Sequence, residues 1–383
     1  IVFSSLSLLF FFLKTIKGNT MHLKDFLEIW ENEEDRVLVH TSGSTGKPKE
    51  MWVEKDKMRN SARITCDFLG IQSGDSAFLC LPLDYIAGKM MTVRSIEREL
   101  RLVCVEPCGH PLSNEALQQA TAVDFHTSSS CSAATILAEG IDFAAMVPMQ
   151  VFNSLSVPEE RERLGRIKNL IIGGGAIDEA LAAELMTLPE EIAVWSTYGM
   201  TETLSHIALR RLNGPDASEW YHPFDSVKVE VNREGCLVID APLVCAEKLV
   251  TNDIAELKVM DASESWGSHR VAFRIKGRKD FVICSGGVKI QIEEVEDKLR
   301  PFLQSPFMIT KKKDEKFGEM AVLVSEDVDL NEVERVCKEQ LPKFWVPKQF
   351  IHVDKIPMTE TGKVKRGGFF ETSVKSFKLF IKQ

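Results

Sequence analysis

Short apolar runs alternate with amphipathic stretches along most of the chain, and this alternation predicts the fold. The predicted strands lie at residues 75–83, 101–106, 167–172 and 192–196, and the predicted helices at 87–100 and 177–188. Repetition of strand, loop and helix is typical of a doubly wound, mostly parallel sheet. We therefore predict an α/β fold, with ligands bound at the carboxyl ends of the strands.

Two changes of pattern divide the chain further. Between residues 227 and 250, shorter β-type runs are interrupted by Gly235 and Pro242, which predicts a small β subdomain. A boundary falls at residues 277–280, because an independent α+β pattern follows it. We predict a large domain at residues 21–276, a small α+β domain at residues 277–370 and a tail at residues 371–383.

The beginning of the chain is treated separately. Residues 2–13 are an apolar run that is too short to span a bilayer. The run has no basic segment before it and no clear cleavage site after it, which argues against a signal peptide. We expect residues 1–20 to be a non-native extension, such as translated upstream sequence, with a membrane anchor as the alternative. We expect no stable membrane insertion.

Composition excludes some partners. The 383 residues are 44% hydrophobic and 27% charged, which is ordinary for a globular protein. A net charge of −9 argues against a general nucleic-acid binder. The nine cysteines form no C-x-x-C pair, which favours free thiols over a zinc site. Free thiols are typical of a reducing compartment, and we expect the cytoplasm.

A polar loop at residues 41–49, Thr-Ser-Gly-Ser-Thr-Gly-Lys-Pro-Lys, carries the first candidate chemistry. It follows a predicted strand at residues 37–39. Glycines let successive N–H groups converge on an anion, and the hydroxyls and lysines add donors and charge. The loop is not a Walker A motif, because Gly43 and Gly46 are too close together and Pro48 replaces the Ser or Thr. A polar surface turn is the alternative.

Further motifs follow this loop in a particular order. They are Gly173-Gly174-Gly175-Ala176, Tyr198-Gly199-Met200-Thr201-Glu202-Thr203, Gly277-Arg278-Lys279-Asp280 and Thr361-Gly362-Lys363. Together with the loop they resemble the adenylate-forming superfamily of acyl- and aryl-CoA ligases, luciferases and peptide-synthetase adenylation domains. The resemblance extends from about residue 36 to residue 366. The first three motifs follow predicted strands, as ligand-binding segments of a doubly wound sheet do.

The resemblance implies a reaction in two steps. A carboxylate attacks the α-phosphate of ATP to give an acyl-adenylate and pyrophosphate, and the thiol of CoA then displaces AMP. Such transfer needs positioning and charge neutralisation more than a protein nucleophile. The implied co-substrates are ATP and CoA, the implied metal ion is Mg²⁺, and the small domain is implied to be mobile. The sequence leaves open whether the chain forms a homodimer.

The resemblance also assigns residues to the nucleotide. The phosphates would be held by Thr41, Ser42, Gly43, Ser44, Thr45, Gly46 and Lys47. The adenine would lie against Gly173, Gly174, Gly175, Ala176, Thr197, Tyr198 and Gly199, and the ribose would be held by Asp253 and Arg278. Taken singly, these have ordinary alternatives, such as a strand-end turn, a core tyrosine, an Asx-turn aspartate or a surface ion pair.

The catalytic residues implied by the resemblance are Thr201, Glu202 and Lys363. Thr201 would contact the α-phosphate, and Glu202 would hold Mg²⁺, a hard cation that takes carboxylate and phosphate oxygens. Lys363 would neutralise the charge that develops between carboxylate and α-phosphate. The alternatives are a glutamate stabilised by a helix dipole and a lysine on a surface loop.

The small domain is implied to rotate between the two steps about Asp280. Rotation would bring Ser285, Gly286 and Gly287 to a channel for the pantetheine of CoA, since glycines permit close backbone approach. A simple β-turn is the alternative for these glycines. Two departures from the family stand out. Few residues precede the first loop, so we expect an N-terminal subdomain to be much reduced, and Asn252 occupies a position that is usually glycine.

Substrate choice depends on Tyr85, Arg94 and Ser205. Tyr85 stands where many relatives have histidine, and would line the acyl pocket. Arg94 has the offset of a basic residue in o-succinylbenzoate–CoA ligases of menaquinone synthesis, whose substrate keeps a second carboxylate that Arg can bind bidentately. Ser205 would also contact the acid. The alternative for Arg94 is a solvated helix face shared with Glu97 and Glu99.

We predict an o-succinylbenzoate–CoA ligase, with three alternatives. Another aryl- or fatty-acyl-CoA ligase is the nearest. An enzyme that adenylates amino acids is weaker, because Asp84 lies one position early for binding an α-amine. A non-catalytic AMP-binding protein would need neither Glu202 nor Lys363.

Overall fold

The computed structural model describes residues 21–40, 50–127, 131–175, 177–260 and 271–358, together with Val364, Arg366, Phe369, Ile381 and Lys382. The helices are α1 Leu23–Glu31, α2 Lys55–Leu69, α3 Ile86–Glu97, α4 Asn114–Gln118, α5 Ala133–Glu139, α6 Pro148–Ser156, α7 Pro158–Leu164, α8 Glu179–Leu185, α9 Ile292–Leu299 and α10 Leu330–Gln340. The strands are β1 Arg36–His40, β2 Glu50–Glu54, β3 Ser76–Leu79, β4 Arg101–Cys104, β5 Thr121–Asp124, β6 Ile141–Met146, β7 Ile167–Ile172, β8 Ala193–Gly199, β9 His206–Arg211, β10 His222–Pro223, β11 Lys228–Val231, β12 Cys236–Asp240, β13 Leu249–Val259, β14 Val271–Arg278, β15 Val282–Ser285, β16 Val288–Gln291, β17 Phe307–Asp314, β18 Gly318–Ser325, β19 Gln349–His352 and β20 Ile381–Lys382.

The central element is an eight-stranded sheet with the order β10-β9-β8-β7-β6-β3-β4-β5. The pairs from β4 through β8 are parallel, and β5, β9 and β10 join the edges antiparallel. Helices cover both faces: one core contains residues of α1, α2 and α3, and another contains residues of α6, α7 and α8. The predicted doubly wound α/β fold is therefore confirmed.

Helix ends explain some of the boundaries that differ from prediction. The predicted helix 177–188 is shorter, because Asp178 accepts the Leu181 N–H and begins α8 there. The predicted strand 75–83 ends at Leu79, since the next residues turn toward α3. The predicted helix 87–100 ends earlier, where Glu99 takes a positive φ of 53°.

The polar loop at residues 41–49 lies outside the described residues, but its flanks are described. β1 precedes it as predicted and pairs antiparallel with β2, with His40 opposite Glu50. The two strands form their own two-stranded sheet. The expectation that the loop follows a strand of the parallel sheet is therefore wrong; it connects the strands of a separate hairpin.

Two further sheets follow the central one. The strands β11-β12-β13-β14 form an antiparallel sheet, which matches the predicted β subdomain and extends it through Arg278. The strands β16-β15-β18-β19-β20, with β17 on β18, form a six-stranded sheet. The helices α9 and α10 contribute to the core of this last sheet. In the part of the chain that is described, no helix is both long and apolar enough to cross a membrane.

Candidate active site

Three predicted nucleotide-binding residues meet although they are far apart in sequence. The Tyr198 hydroxyl donates to Asp253 Oδ2 at 2.5 Å, and Arg278 Nη1 donates to Asp253 Oδ1 at 3.1 Å. Asp253 and Arg278 are register partners on β13 and β14, while Tyr198 belongs to β8 of the central sheet. A carboxylate can accept further hydrogen bonds from a diol, so Asp253 keeps capacity for a ribose.

The Tyr198 ring is packed against other aromatic rings. Its centroid lies 5.0 Å from that of Phe273, edge to face, and 5.8 Å from that of Tyr221. Burial raises the pKa of the Tyr198 hydroxyl, and the neighbouring Asp253 charge raises it further. The hydroxyl therefore remains protonated and holds the Asp253 carboxylate in place.

The glycine triplet follows β7 and lies beside β8. A Cβ on Gly173 would overlap the hydroxyl of Thr197, so only glycine lets the two strand ends approach this closely. Gly174 takes a φ of 81°, which also favours glycine. Gly173 is thus adjacent to Thr197, whereas a Cβ on Gly174 or Gly175 would come closest to Val147 and Pro148 at the start of α6. Ala176 lies outside the described residues.

The segment after Tyr198 forms one turn of 3-10 helix, Thr201–Thr203. Glu202 is exposed at this turn, and Thr201 is half-buried. Among the described residues, no cluster of three or more His, Cys, Asp or Glu side chains could hold a metal ion. A single exposed carboxylate fits Mg²⁺ that arrives on ATP, because that ion keeps phosphate and water ligands.

The predicted hinge residue, Asp280, is hydrogen-bonded to Arg278, which also contacts Asp253. Asp280 lies in the 3-10 turn Lys279–Phe281, and its Oδ2 accepts from Arg278 Nη2 at 2.9 Å. The same oxygen accepts from Asn252 Nδ2 at 3.1 Å. Asn252 is the residue that replaces the usual glycine, so this departure from the family has a contact that sequence analysis missed.

The predicted CoA-channel residues form a tight hairpin. Ser285 ends β15, and Gly286 and Gly287 connect it to β16. Both glycines have positive φ, 55° and 84°, as a two-residue type I′ turn requires. The Gly286 N–H donates to the Phe317 carbonyl at 2.9 Å. The β-turn alternative is therefore correct as local structure, and a channel role stays a prediction.

Residues of the helix α3 hold the preceding loop around Tyr85 in place. Tyr85 is the half-buried N-cap of α3. A Cβ on Gly88 would overlap the Pro82 carbonyl, so the first turn of α3 packs directly on the loop. The buried Lys89 Nζ donates to the Leu83 carbonyl at 2.6 Å. These contacts hold the backbone before Tyr85 without using a carboxylate.

Arg94 is 2% exposed, and it is among the largest fully buried side chains. Its Nη2 donates to Ser205 Oγ at 2.6 Å, while its Nε has no hydrogen-bond partner within the described ranges. Glu97 instead pairs with Arg59 at 3.3 Å and Arg63 at 2.7 Å. The alternative of a solvated helix face is therefore wrong for Arg94.

Burial lowers the pKa of Arg94 to about 10, so the guanidinium stays charged at neutral pH. No carboxylate lies within ion-pair distance of it in the part of the chain that is described. A buried, hydrogen-bonded cation without an anion is unfavourable unless a ligand supplies the counter-charge. The position can therefore take a ligand carboxylate.

Two residues beside Arg94 were missed in the sequence. His206 is buried at the start of β9, and its Nδ1 lies 3.1 Å from Ser205 Oγ. Its Nε2 lies 3.0 Å from the hydroxyl of Thr65, which is buried on α2. Burial, and secondly the Arg94 charge, lower the pKa of His206 well below its usual range. Thr65 follows no motif, so nothing in its local sequence indicated this contact.

The remaining predicted residues fall outside the described ranges. They are Thr41, Ser42, Gly43, Ser44, Thr45, Gly46, Lys47 and Lys363. The flanks of the Lys363 segment are described: Met358 and Val364 form an antiparallel bridge, and Arg366 forms an ion pair with Glu296 of α9.

Comparisons with known proteins identify the family to which this chain is similar. The sequence profile described as AMP-binding enzyme matches residues 16–239. A 2-succinylbenzoate–CoA ligase of Listeria monocytogenes is 22% identical over 359 residues, which cover 89% of this chain and 71% of that protein.

Two solved structures are similar in fold. An acyl-CoA synthetase (AMP-forming)/AMP-acid ligase II-like protein from Dyadobacter fermentans is 30% identical, covers 95% of this chain and 97% of its own, and superimposes with a TM-score of 0.58. The o-succinylbenzoate coenzyme A synthetase from Bacillus subtilis, in complex with ATP and magnesium ion, is 22% identical, with 86% and 68% coverage and a TM-score of 0.64. At that identity the second likeness shows the fold.

Proposed function

Because this chain belongs to the AMP-binding enzyme family, we propose that it joins 2-succinylbenzoate to CoA, a step of menaquinone biosynthesis. The general class is an AMP-forming acid–CoA ligase, which uses ATP, Mg²⁺ and CoA. The first step forms an acyl-adenylate and releases pyrophosphate. In the second step the CoA thiol attacks the acyl carbon, and AMP leaves.

The proposal assigns the nucleotide to the cluster around Asp253. The Asp253 carboxylate accepts from the ribose hydroxyls, Arg278 supports it, and the Tyr198 ring lies against the adenine. The loop at residues 41–47 holds the phosphates, and the glycine triplet gives the base room. The contacts that support this assignment are the Tyr198–Asp253 and Arg278–Asp253 hydrogen bonds.

The catalytic assignment comes from the motifs. Thr201 contacts the α-phosphate, Glu202 holds the Mg²⁺ that accompanies ATP, and Lys363 neutralises charge between the carboxylate and the α-phosphate. We propose that residues 21–276 form the large domain and residues 277–370 form the small one. The small domain turns about Asp280, which carries Lys363 away and brings Ser285–Gly287 to the pantetheine.

One observation carries the choice of acid, namely the buried Arg94 guanidinium without a carboxylate partner among the described residues. In an acid with one carboxylate, that group reacts with the α-phosphate, and the positive charge of Arg94 remains without an anionic partner. An acid with a second carboxylate supplies the missing anion in bidentate geometry. 2-Succinylbenzoate has both groups, and several relatives carry its name.

The test is acid-dependent release of pyrophosphate from ATP and Mg²⁺ by the full chain. The panel contains 2-succinylbenzoate, benzoate, a medium-chain fatty acid and an amino-acid mixture. We expect strong preference for 2-succinylbenzoate and formation of its CoA thioester when CoA is added.

Preference for another acid would retain adenylation and reject this substrate. Release of AMP that does not depend on CoA would favour an amino-acid-adenylating enzyme. Absence of pyrophosphate release with every acid, while the chain still binds AMP, would favour a non-catalytic AMP-binding protein.

A further inference from the structure

We propose that Thr65 and His206 are positioning residues of the acid pocket. They form a hydrogen-bond chain with one direction, which runs through Ser205 and fixes the guanidinium of Arg94. The inference rests on the proposed function, because it assigns these residues to recognition of the second carboxylate. Neither residue touches the substrate, and both act through Ser205.

The direction of donation along the hydrogen-bond chain is set at Thr65. Its hydroxyl donates to the Ser61 carbonyl at 3.0 Å, so the single hydroxyl proton is in use. The oxygen must then accept from His206 Nε2, which lies 3.0 Å away. His206 Nε2 therefore carries the proton of the ring.

The tautomer of His206 decides the next step. A neutral imidazole has one N–H, so a proton on Nε2 makes Nδ1 an acceptor. The Ser205 hydroxyl, 3.1 Å from Nδ1, then donates to the ring. With its proton used, Ser205 Oγ has lone pairs available for Arg94 Nη2 at 2.6 Å.

Electrostatics favours the same direction. The lone pair of Nδ1 faces the side of the ring on which Arg94 lies, and the Nε2–H points away from that positive charge. The opposite tautomer would direct an N–H and a guanidinium N–H at the same serine oxygen. Thr65, His206 and Arg94 are each less than a tenth exposed, which restricts water at the Thr65–His206 hydrogen bond, and Ser205 is half-buried.

The chain restricts how Arg94 presents its donors. One N–H of Nη2 is fixed to Ser205, and Met91 Sδ lies 4.0 Å from Nη1 as a weak acceptor. The Nε–H has no partner within the described ranges. The guanidinium thus cannot rotate freely, and the remaining N–H groups are held in one orientation for a carboxylate.

Backbone packing holds the Ser205–His206 end of the hydrogen-bond chain against the motif that begins at Tyr198. A Cβ on Gly199 would overlap the Ser205 carbonyl and the Cα of His206, so these segments are in direct contact. The His206 ring also packs 5.5 Å from the Phe224 ring. The imidazole is therefore held in position from its ring face as well as from both nitrogens.

Two variants of the same residue test the kinetic role. Thr65→Val keeps the shape but removes the hydroxyl, whereas Thr65→Ser keeps the hydroxyl and is the matched control. We expect Thr65→Val to raise the KM for 2-succinylbenzoate about tenfold, since one buried hydrogen bond is lost. The KM for ATP should change less than about twofold, and Thr65→Ser should stay close to the wild type.

A merely structural role predicts a different result. It would lower the fraction of active enzyme and hence the apparent kcat, and it would leave the KM for the acid unchanged in Thr65→Val. That outcome, or an equal rise of both KM values, overturns the inference.

The tautomer gives a test that does not depend on activity or on the folding of Thr65→Val. The ring ¹⁵N shifts of His206 can be measured in the labelled full chain, with assignment from the spectrum of His206→Gln. We expect a neutral ring protonated on Nε2 at neutral pH. A ring protonated on Nδ1, or a doubly protonated ring, overturns the inference.

The two failures are distinguishable. If the wild type does not activate 2-succinylbenzoate, the proposed function is wrong, and the hydrogen-bond chain is then decided by the His206 tautomer alone. If the wild type activates it but Thr65→Val leaves the KM for the acid unchanged, the proposed function survives and the positioning role is wrong.

Discussion

Replacement of Arg94 by methionine should make the protein more stable and less active. Methionine fills a similar volume, is apolar, and would lie beside Met91, so the buried space remains packed. The change removes a guanidinium that is 2% exposed and has no carboxylate partner among the described residues. Stability and activity are expected to move in opposite directions because the unpaired charge serves the ligand and not the fold.

The magnitude follows from the pKa of Arg94. Burial lowers it to about 10, a shift that corresponds to a penalty of about 3 kcal/mol on the charged form. Since the folded-state pKa is the lower one, the penalty is fully present below pH 10 and fades as the pH rises toward the unfolded-state pKa. Loss of the hydrogen bond to Ser205 offsets roughly 1–2 kcal/mol. The free energy of unfolding should therefore rise by about 1–2 kcal/mol at neutral pH.

The assay combines urea unfolding, followed by tryptophan fluorescence, with acid-dependent pyrophosphate release. We expect the urea midpoint of Arg94→Met to rise, and kcat/KM for 2-succinylbenzoate to fall about 100-fold, as for a truncated buried charge pair. Arg98→Met is the matched control, because Arg98 lies one turn further on and pairs with Asp67. It should lose at most about 1 kcal/mol and keep its activity.

Two results would refute this reasoning. A fall in the free energy of unfolding of Arg94→Met by several kcal/mol, seen as a lower urea midpoint, would mean that the guanidinium has an anionic partner within the protein. Retained kcat/KM for 2-succinylbenzoate would mean that the second carboxylate binds elsewhere.

Three other substitutions test the rest of the site. Lys363→Ala should slow adenylate formation by about 10²–10³ and leave the reaction of supplied acyl-adenylate with CoA intact; an unchanged first step would contradict the role of Lys363. Asn252→Gly removes the hydrogen bond to Asp280 and should speed proteolysis at the hinge about two- to tenfold, measured by limited trypsin digestion against the wild type. Tyr198→Phe removes the donor to Asp253 and should raise the KM for ATP about fivefold, with the KM for the acid as the internal control.

The grouping of the three side chains assigned to the nucleotide could be predicted from the sequence because their motifs are local. Each of Tyr198, Asp253 and Arg278 lies in a short segment with a typical composition, and the order of segments matches one family. The structure then brings the three side chains together through the pairing of β13 with β14 and the position of β8. The resemblance to the family predicted that these three residues lie together, and the pairing of the strands gives the physical reason.

The acid side could be predicted only in part. The pattern of residues 87–100 indicated a helix, and α3 is one, but Gly88 through Ser95 are all buried. A helix buried on every side has no polar face to distinguish, so the sequence assigned Arg94 to the acid pocket only by resemblance and left a solvated face shared with Glu97 as the alternative. The contact of Thr65 with His206 joins residues 141 positions apart and uses no motif. Such contacts depend on how α2 packs against β9, which periodicity does not determine.

The turn between Tyr198 and His206 connects the two substrate sites. At its start Tyr198 holds the Asp253 carboxylate, and at its end Ser205 and His206 hold Arg94. The turn has little freedom, because Leu204 takes a φ of 65° and Gly199 leaves no space for a side chain. Under the proposed function, two rigidly connected anchors would keep the distance from the ribose to the second carboxylate constant, as in-line attack on the α-phosphate requires. The proposal therefore implies that changes in the backbone of this turn, such as a side chain at Gly199, impair both substrates together, whereas changes at Thr65 or Arg94 impair the acid alone.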